Sequence, residues 1–72
     1  MTNSVLFRKA VVSSGVKYKY LAQSIGITPY GLQKKIDNQS EFKASEIYKL
    51  SDALNLSDAD RNAIFFSQNS DL

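Results

Sequence analysis

The chain has no cysteine, no histidine and no tryptophan, and its 72 residues include one proline and three glycines. Without cysteine there is no disulfide and no thiolate metal site, so apolar packing alone must hold the fold. Without histidine or cysteine there is no imidazole base, zinc finger or thiol nucleophile to work near neutral pH. No serine has an evident activator either. Enzyme chemistry, a bound metal and a cofactor are therefore not expected. Long apolar runs are also missing: the longest cover 63–66 and 5–7, where a membrane span needs about 20 residues. Residues 1–16 lack the apolar centre and small-residue cleavage site of a secretory signal. The expected location is the cytoplasm, away from the membrane.

The composition that remains, 43% hydrophobic and 22% charged, suits a folded domain rather than a disordered chain. Residues 1–72 allow one domain, with an ordered core expected over about 4–66 and a frayed tail from Ser67 to Leu72. A chain this short buries only about 60% of its unfolded surface. The net charge of +2 conceals a polarity. Residues 1–36 carry Arg8, Lys9, Lys17, Lys19, Lys34 and Lys35 with no acid, whereas residues 37–72 sum to −4. Such asymmetry points the basic half toward a polyanion or an acidic partner, or else marks a solvated surface.

Strand alternation is weak and helical spacing plentiful. A first helix is expected over 4–14, where Leu6, Ala10 and Ser14 lie four apart beside Phe7 and Val11, with Gly15 as its stop. A second runs from about Tyr18 to Ile25, burying Leu21, Ala22 and Ile25 and ending at Gly26. Thr28 is a strong N-cap and Pro29 suits the first position of a third helix, whose buried stripe is Leu32 and Ile36. Asn38-Gln39-Ser40 closes it, and Phe42 is expected to fold back as an anchor. A fourth helix near Ala44–Leu54 should bury Ile47, Leu50, Ala53 and Leu54. Ser57, with Asp60 three residues on, resembles a capping box and opens a fifth helix reaching about Phe66. The fold class is all-α, with five short helices.

Ala22, Gly26 and Leu32 have the spacing of a helix-turn-helix. Ala22 is small where two helices cross, Gly26 tolerates the positive φ of a tight turn, and Ile25, Ile27, Leu32 and Ile36 seal the junction. On the third helix, 100° steps put Tyr30, Lys34 and Asp37 opposite Leu32 and Ile36, with Gln33 on the flank. If that helix entered a major groove, Tyr30, Gln33 and Lys34 would be the base readers: Lys donates to guanine, and Gln pairs with adenine N6 and N7. Thr28 and the helix N-terminus would hold a phosphate. Lys17 and Lys19 stand at the start of the second helix, where acids would suit the dipole better, and a docked phosphate would offset that cost. Tyr18 either donates to the same phosphate or packs half-buried. Asn38 completes the candidate set. Ile64, Phe65 and Phe66 fan through about 200°, so Phe65 and Phe66 form either a dimer or partner contact or a lid on the core.

The segments Leu21–Thr28, Leu32–Ile36, Ser40–Phe42 and Ser45–Ile47, together with Ile64–Phe66, resemble the Cro and repressor family of temperate-phage regulators over about residues 5–66. Within that family the likeness is greatest to the small modulator-of-repression group. The resemblance implies a five-helix repressor-like domain in a bacterial host cell, acting on a lytic/lysogenic switch. Its partners would be double-stranded operator DNA, the phage repressor or both, with a homodimer as a further option. Some residues depart from the family pattern. Pro29 stands where many members place a base-contacting Gln, Gly31 removes another contact, and Asp37 would repel a phosphate. Tyr30 suits a protein interface as well as a groove. The alternative expectation is thus an antirepressor that binds protein alone and masks the repressor's DNA-reading surface. A toxin-neutralising antitoxin built on the same motif stays open.

Overall fold

The computed structural model, which describes residues 1–67, contains α1 (Ser4–Ser14), α2 (Tyr18–Ser24), α3 (Pro29–Ile36), α4 (Ala44–Ala53) and α5 (Asp58–Phe65). Short polar side chains cap the starts of α1, α3 and α5. Asn3 Oδ1 accepts the Leu6 N–H, the Thr28 hydroxyl oxygen accepts from Gly31, and the Ser57 hydroxyl oxygen accepts from Asp60. Each satisfies a backbone donor that the helix itself leaves orphaned. The box expected at Ser57 is half formed, since an Asp side chain is one methylene shorter than the Glu that normally bonds back. At α4 the return bond comes from Glu46, whose Oε1 accepts the Lys43 N–H at 2.9 Å.

The helix ends obey a second rule. Gly26 has φ 75° and donates to the Gln23 carbonyl at 3.1 Å, while Ile27 donates to Ala22 at 3.0 Å. This is the paired Schellman closure, with the apolar Ile27 turned back onto the core. Asn38 (φ 65°) and Asn55 (φ 55°) close α3 and α4 in the same left-handed conformation, which Asn reaches more readily than other residues bearing a Cβ. A Cβ on Gly26 would meet nothing within 4 Å, so Gly26→Ala meets backbone strain alone. That strain is about 1–2 kcal/mol. A melt followed by circular dichroism should fall by roughly 4–8 °C per kcal/mol in a domain of this size, and Gly26→Asn should recover most of the loss.

The core takes side chains from all five helices: Phe7 and Val11, Leu21 and Ala22, Leu32 and Ile36, Ile47, Leu50 and Leu54, Ile64 and Phe65. Ala53 is exposed, contrary to expectation. It lies about 120° around α4 from Ile47, whereas Ser51 sits on the buried stripe and donates its hydroxyl to the Ile47 carbonyl at 2.7 Å. Phe42 does fold back. It stacks on Phe7 (6.0 Å, 9°), and Phe65 meets both rings edge-on at 5.7 and 5.4 Å.

Order reaches further toward the N-terminus than the core expected over 4–66. Thr2 is buried. The Asn3 N–H bonds the Ile64 carbonyl, and the Ser67 N–H and hydroxyl both donate to the Met1 carbonyl. Ser67 is therefore tied rather than loose, and the remainder of the expected tail lies outside the described residues. No helix among the described residues is long and apolar enough to cross a membrane.

One ion pair is largely shielded from solvent. Lys35 Nζ lies 3.0 Å from Glu46 Oε1, with side chains only 15% and 10% exposed, and also donates to the Glu41 carbonyl at 2.9 Å. Burial alone would raise the Glu46 pKa. The Lys43 N–H and the Lys35 ammonium outweigh it, and hold the carboxyl below its ordinary value. A depressed folded pKa contributes stability that is complete above the unfolded value and is lost as pH falls through the folded one. Glu46→Gln should therefore cost about 1–3 kcal/mol at neutral pH. The gap to wild type should close once pH drops below the Glu46 folded pKa, which urea titrations across the acid range would read.

Candidate functional site

Helices α2 and α3 pack closely, through Leu21 and Ala22 on one side and Leu32 and Ile36 on the other. Burying that edge of α3 fixes what the opposite edge presents. With 100° between successive residues, Tyr30, Gln33, Lys34 and Asp37 share an arc of about 100°. Tyr30 is 74% exposed. Lys34 is half-buried, with Nζ 5.5 Å from the Tyr30 ring centroid, a distance at which the ring face attracts a cation.

Gln33 and Asp37 are not free side chains. Arg8 reaches across from α1, its Nη1 donating to Gln33 Oε1 at 3.3 Å and its Nη2 to Asp37 Oδ1 at 2.8 Å. The repulsion expected between Asp37 and a phosphate is thereby largely cancelled. In the sequence Arg8 is legible only as one of the six cations of the basic half. It is separated from Asp37 by 29 positions, and no local pattern announces the pair.

Thr28 is exposed, and its oxygen is committed to the Gly31 N–H at 3.0 Å, so its hydroxyl proton remains available to donate. Lys19 is exposed beside Tyr20, Nζ 5.2 Å from the ring. Lys17, at the N-cap of α2, provides no side-chain cap, and the first turn holds no acid. Among the described residues Lys17, Lys19 and Lys34 make no ion pair, whereas Arg8 and Lys35 are both engaged. Tyr18 is half-buried and packs on the core.

Two candidate contact residues are engaged within the fold. The Asn38 amide is spent on the N-terminal arm: its Oδ1 accepts the Thr2 N–H and its Nδ2 donates to the Thr2 carbonyl, both at 2.9 Å. Asn38 stays exposed, yet its amide is tied to the N-terminal arm rather than free. Phe65 is 3% exposed, sealed between Phe7 and Phe42, so it is the core lid and offers nothing to a dimer contact. Phe66, one step of 100° away, is 57% exposed and is the member of the pair that faces outward.

A scan of protein-family models matches none to this chain, and searches of curated proteins and of solved structures return no significant match. The functional reading therefore rests on the α2–α3 surface itself.

Proposed function

We propose that the chain is a small Cro-like helix-turn-helix regulator of a temperate-phage lytic/lysogenic switch. It acts in the cytoplasm of the bacterial host and antagonises the phage repressor through double-stranded operator DNA, the repressor, or both. The observation that carries this reading is one arc of α3. Tyr30, Gln33 and Lys34 stand on it together, opposite a sealed aliphatic edge, next to a helix that begins with Lys17 and Lys19. The turn between the helices has the small residue and the left-handed glycine that this motif needs. Unpaired cations favour a polyanion, because neutralised phosphates release counterions.

A second reading, repressor binding without DNA, is favoured by different details of the same surface. Pro29 has no side-chain donor, Arg8 occupies the Gln33 carbonyl oxygen, and the broad exposed ring of Tyr30 suits a protein contact. Mobility shifts with the phage's switch-region duplex, the repressor and this protein in every combination separate the two. Direct DNA contact predicts retardation by the protein alone. If Lys17, Lys19 and Lys34 each neutralise one phosphate, affinity should fall with log salt at a slope of roughly −3 per protomer. Masking of the repressor predicts a repressor complex with no duplex in it. If neither complex forms at low salt, the regulator assignment fails.

A further inference from the structure

The expectation that Gln33 reads adenine assumes that both ends of its amide are free. Adenine offers an acceptor, N7, and a donor, N6–H₂, so reading it takes the amide nitrogen and the amide oxygen together. Here one lone pair of the oxygen is engaged by Arg8 Nη1 at 3.3 Å, which turns that end of the amide toward α1 and away from the exposed arc. A guanidinium carries only donors, so the amide has to turn its oxygen toward Arg8 and leave its NH₂ pointing away. Arg8 also neutralises Asp37, the only carboxylate on the arc. Nearby, Lys34 can only donate, and the Thr28 hydroxyl, with one lone pair used by the Gly31 N–H, keeps its proton to donate.

We propose that Arg8 is a positioning residue that makes Gln33 a donor, so that the α3 surface selects guanine, whose major-groove edge presents N7 and O6 as acceptors, and discriminates against adenine. The inference rests on the DNA-binding reading above and adds the base class to it. Arg8 itself touches no base. Its role is to fix the hydrogen-bond polarity of a side chain that does, and the cost of forcing Gln33 to read adenine is loss of the bond to Arg8.

A duplex library with a randomised centre, selected at low salt, tests this with wild type, Arg8→Met, Asp37→Asn and Gln33→Glu, each first checked by thermal melting. Wild type should enrich guanine. Arg8→Met frees the amide oxygen, and preference for guanine over adenine should drop roughly 5- to 20-fold at one position while the others hold. Asp37→Asn breaks the ion pair but leaves Arg8 on Gln33, so that position should keep its guanine; a merely structural role for Arg8 predicts that it changes as in Arg8→Met. Gln33→Glu strengthens the contact with Arg8 and removes the outward NH₂, so the protein should stay folded and lose guanine at the same position. That variant carries the test if Arg8→Met does not fold. Identical base preferences in wild type and in either Arg8→Met or Gln33→Glu would overturn the assignment to Arg8 and leave the regulator reading intact. Capture of no duplex by wild type would overturn the DNA reading, and this inference with it.

Discussion

Phe65→Ala is expected to unfold much of the protein at 37 °C. The ring is 3% exposed and edge-on to both Phe7 and Phe42, so truncation opens a void where α1, α5 and the loop before α4 meet. Replacing a buried Phe by Ala costs about 3–5 kcal/mol, in which the two edge-to-face contacts account for some 0.5–1.5 kcal/mol each. A chain of 72 residues holds roughly 4–11 kcal/mol in total, at about 0.05–0.15 kcal/mol per residue. The one substitution removes a large share of that reserve. A melt should fall by about 12–40 °C. Phe66→Ala is the matched control. Its ring is 57% exposed, and an ordinary surface truncation stays within about 0.5 kcal/mol. Comparable melts for the two variants would mean that the assignment of Phe65 to the core and Phe66 to the surface is wrong.

That pair also marks how far the sequence could be read. Helical periodicity says that Phe65 and Phe66 diverge by 100°, but which one turns inward depends on where α5 lies against α1 and Phe42, a tertiary fact. Helix starts were legible at Thr28 and Ser57 because a cap acts within three residues, and Gly15 and Gly26 announced two ends for the same local reason. The polar run from Asn38 likewise marks the end of α3, but an Asn that tolerates positive φ also serves as an ordinary polar contact, so the direction of its side chain is not legible locally. Its place at the end of the α3 arc groups it with the binding face. Only the fold shows it clamped to Thr2, 36 positions away. On α3, Tyr30 and Lys34 could be placed from the 100° step alone, because Leu32 and Ile36 leave little doubt about which edge is buried. The state of Gln33 and Asp37 could not be placed, because it is decided by an arginine on another helix.

Lys34→Glu should weaken binding more than any other single change on the α2–α3 face. Lys34 is the one cation on the exposed arc of α3 that makes no ion pair among the described residues. Reversing it both removes a contact and places a like charge against phosphates or carboxylates. The expected loss is roughly 10- to 100-fold at low salt, and the slope of log affinity against log salt should become shallower by about one unit. The fold should tolerate the change. An acid in the last turn of α3 opposes the helix dipole by about 0.3–1 kcal/mol, and the new Glu–Asp37 neighbour adds a few tenths of a kcal/mol. Lys34→Met separates charge from packing: the methionine still covers the Tyr30 ring, so only the electrostatic part of the loss should appear. Binding of Lys34→Glu within twofold of wild type, to both the operator duplex and the repressor, would mean that partners are met elsewhere on the molecule. The α2–α3 surface would then be an ordinary solvated face.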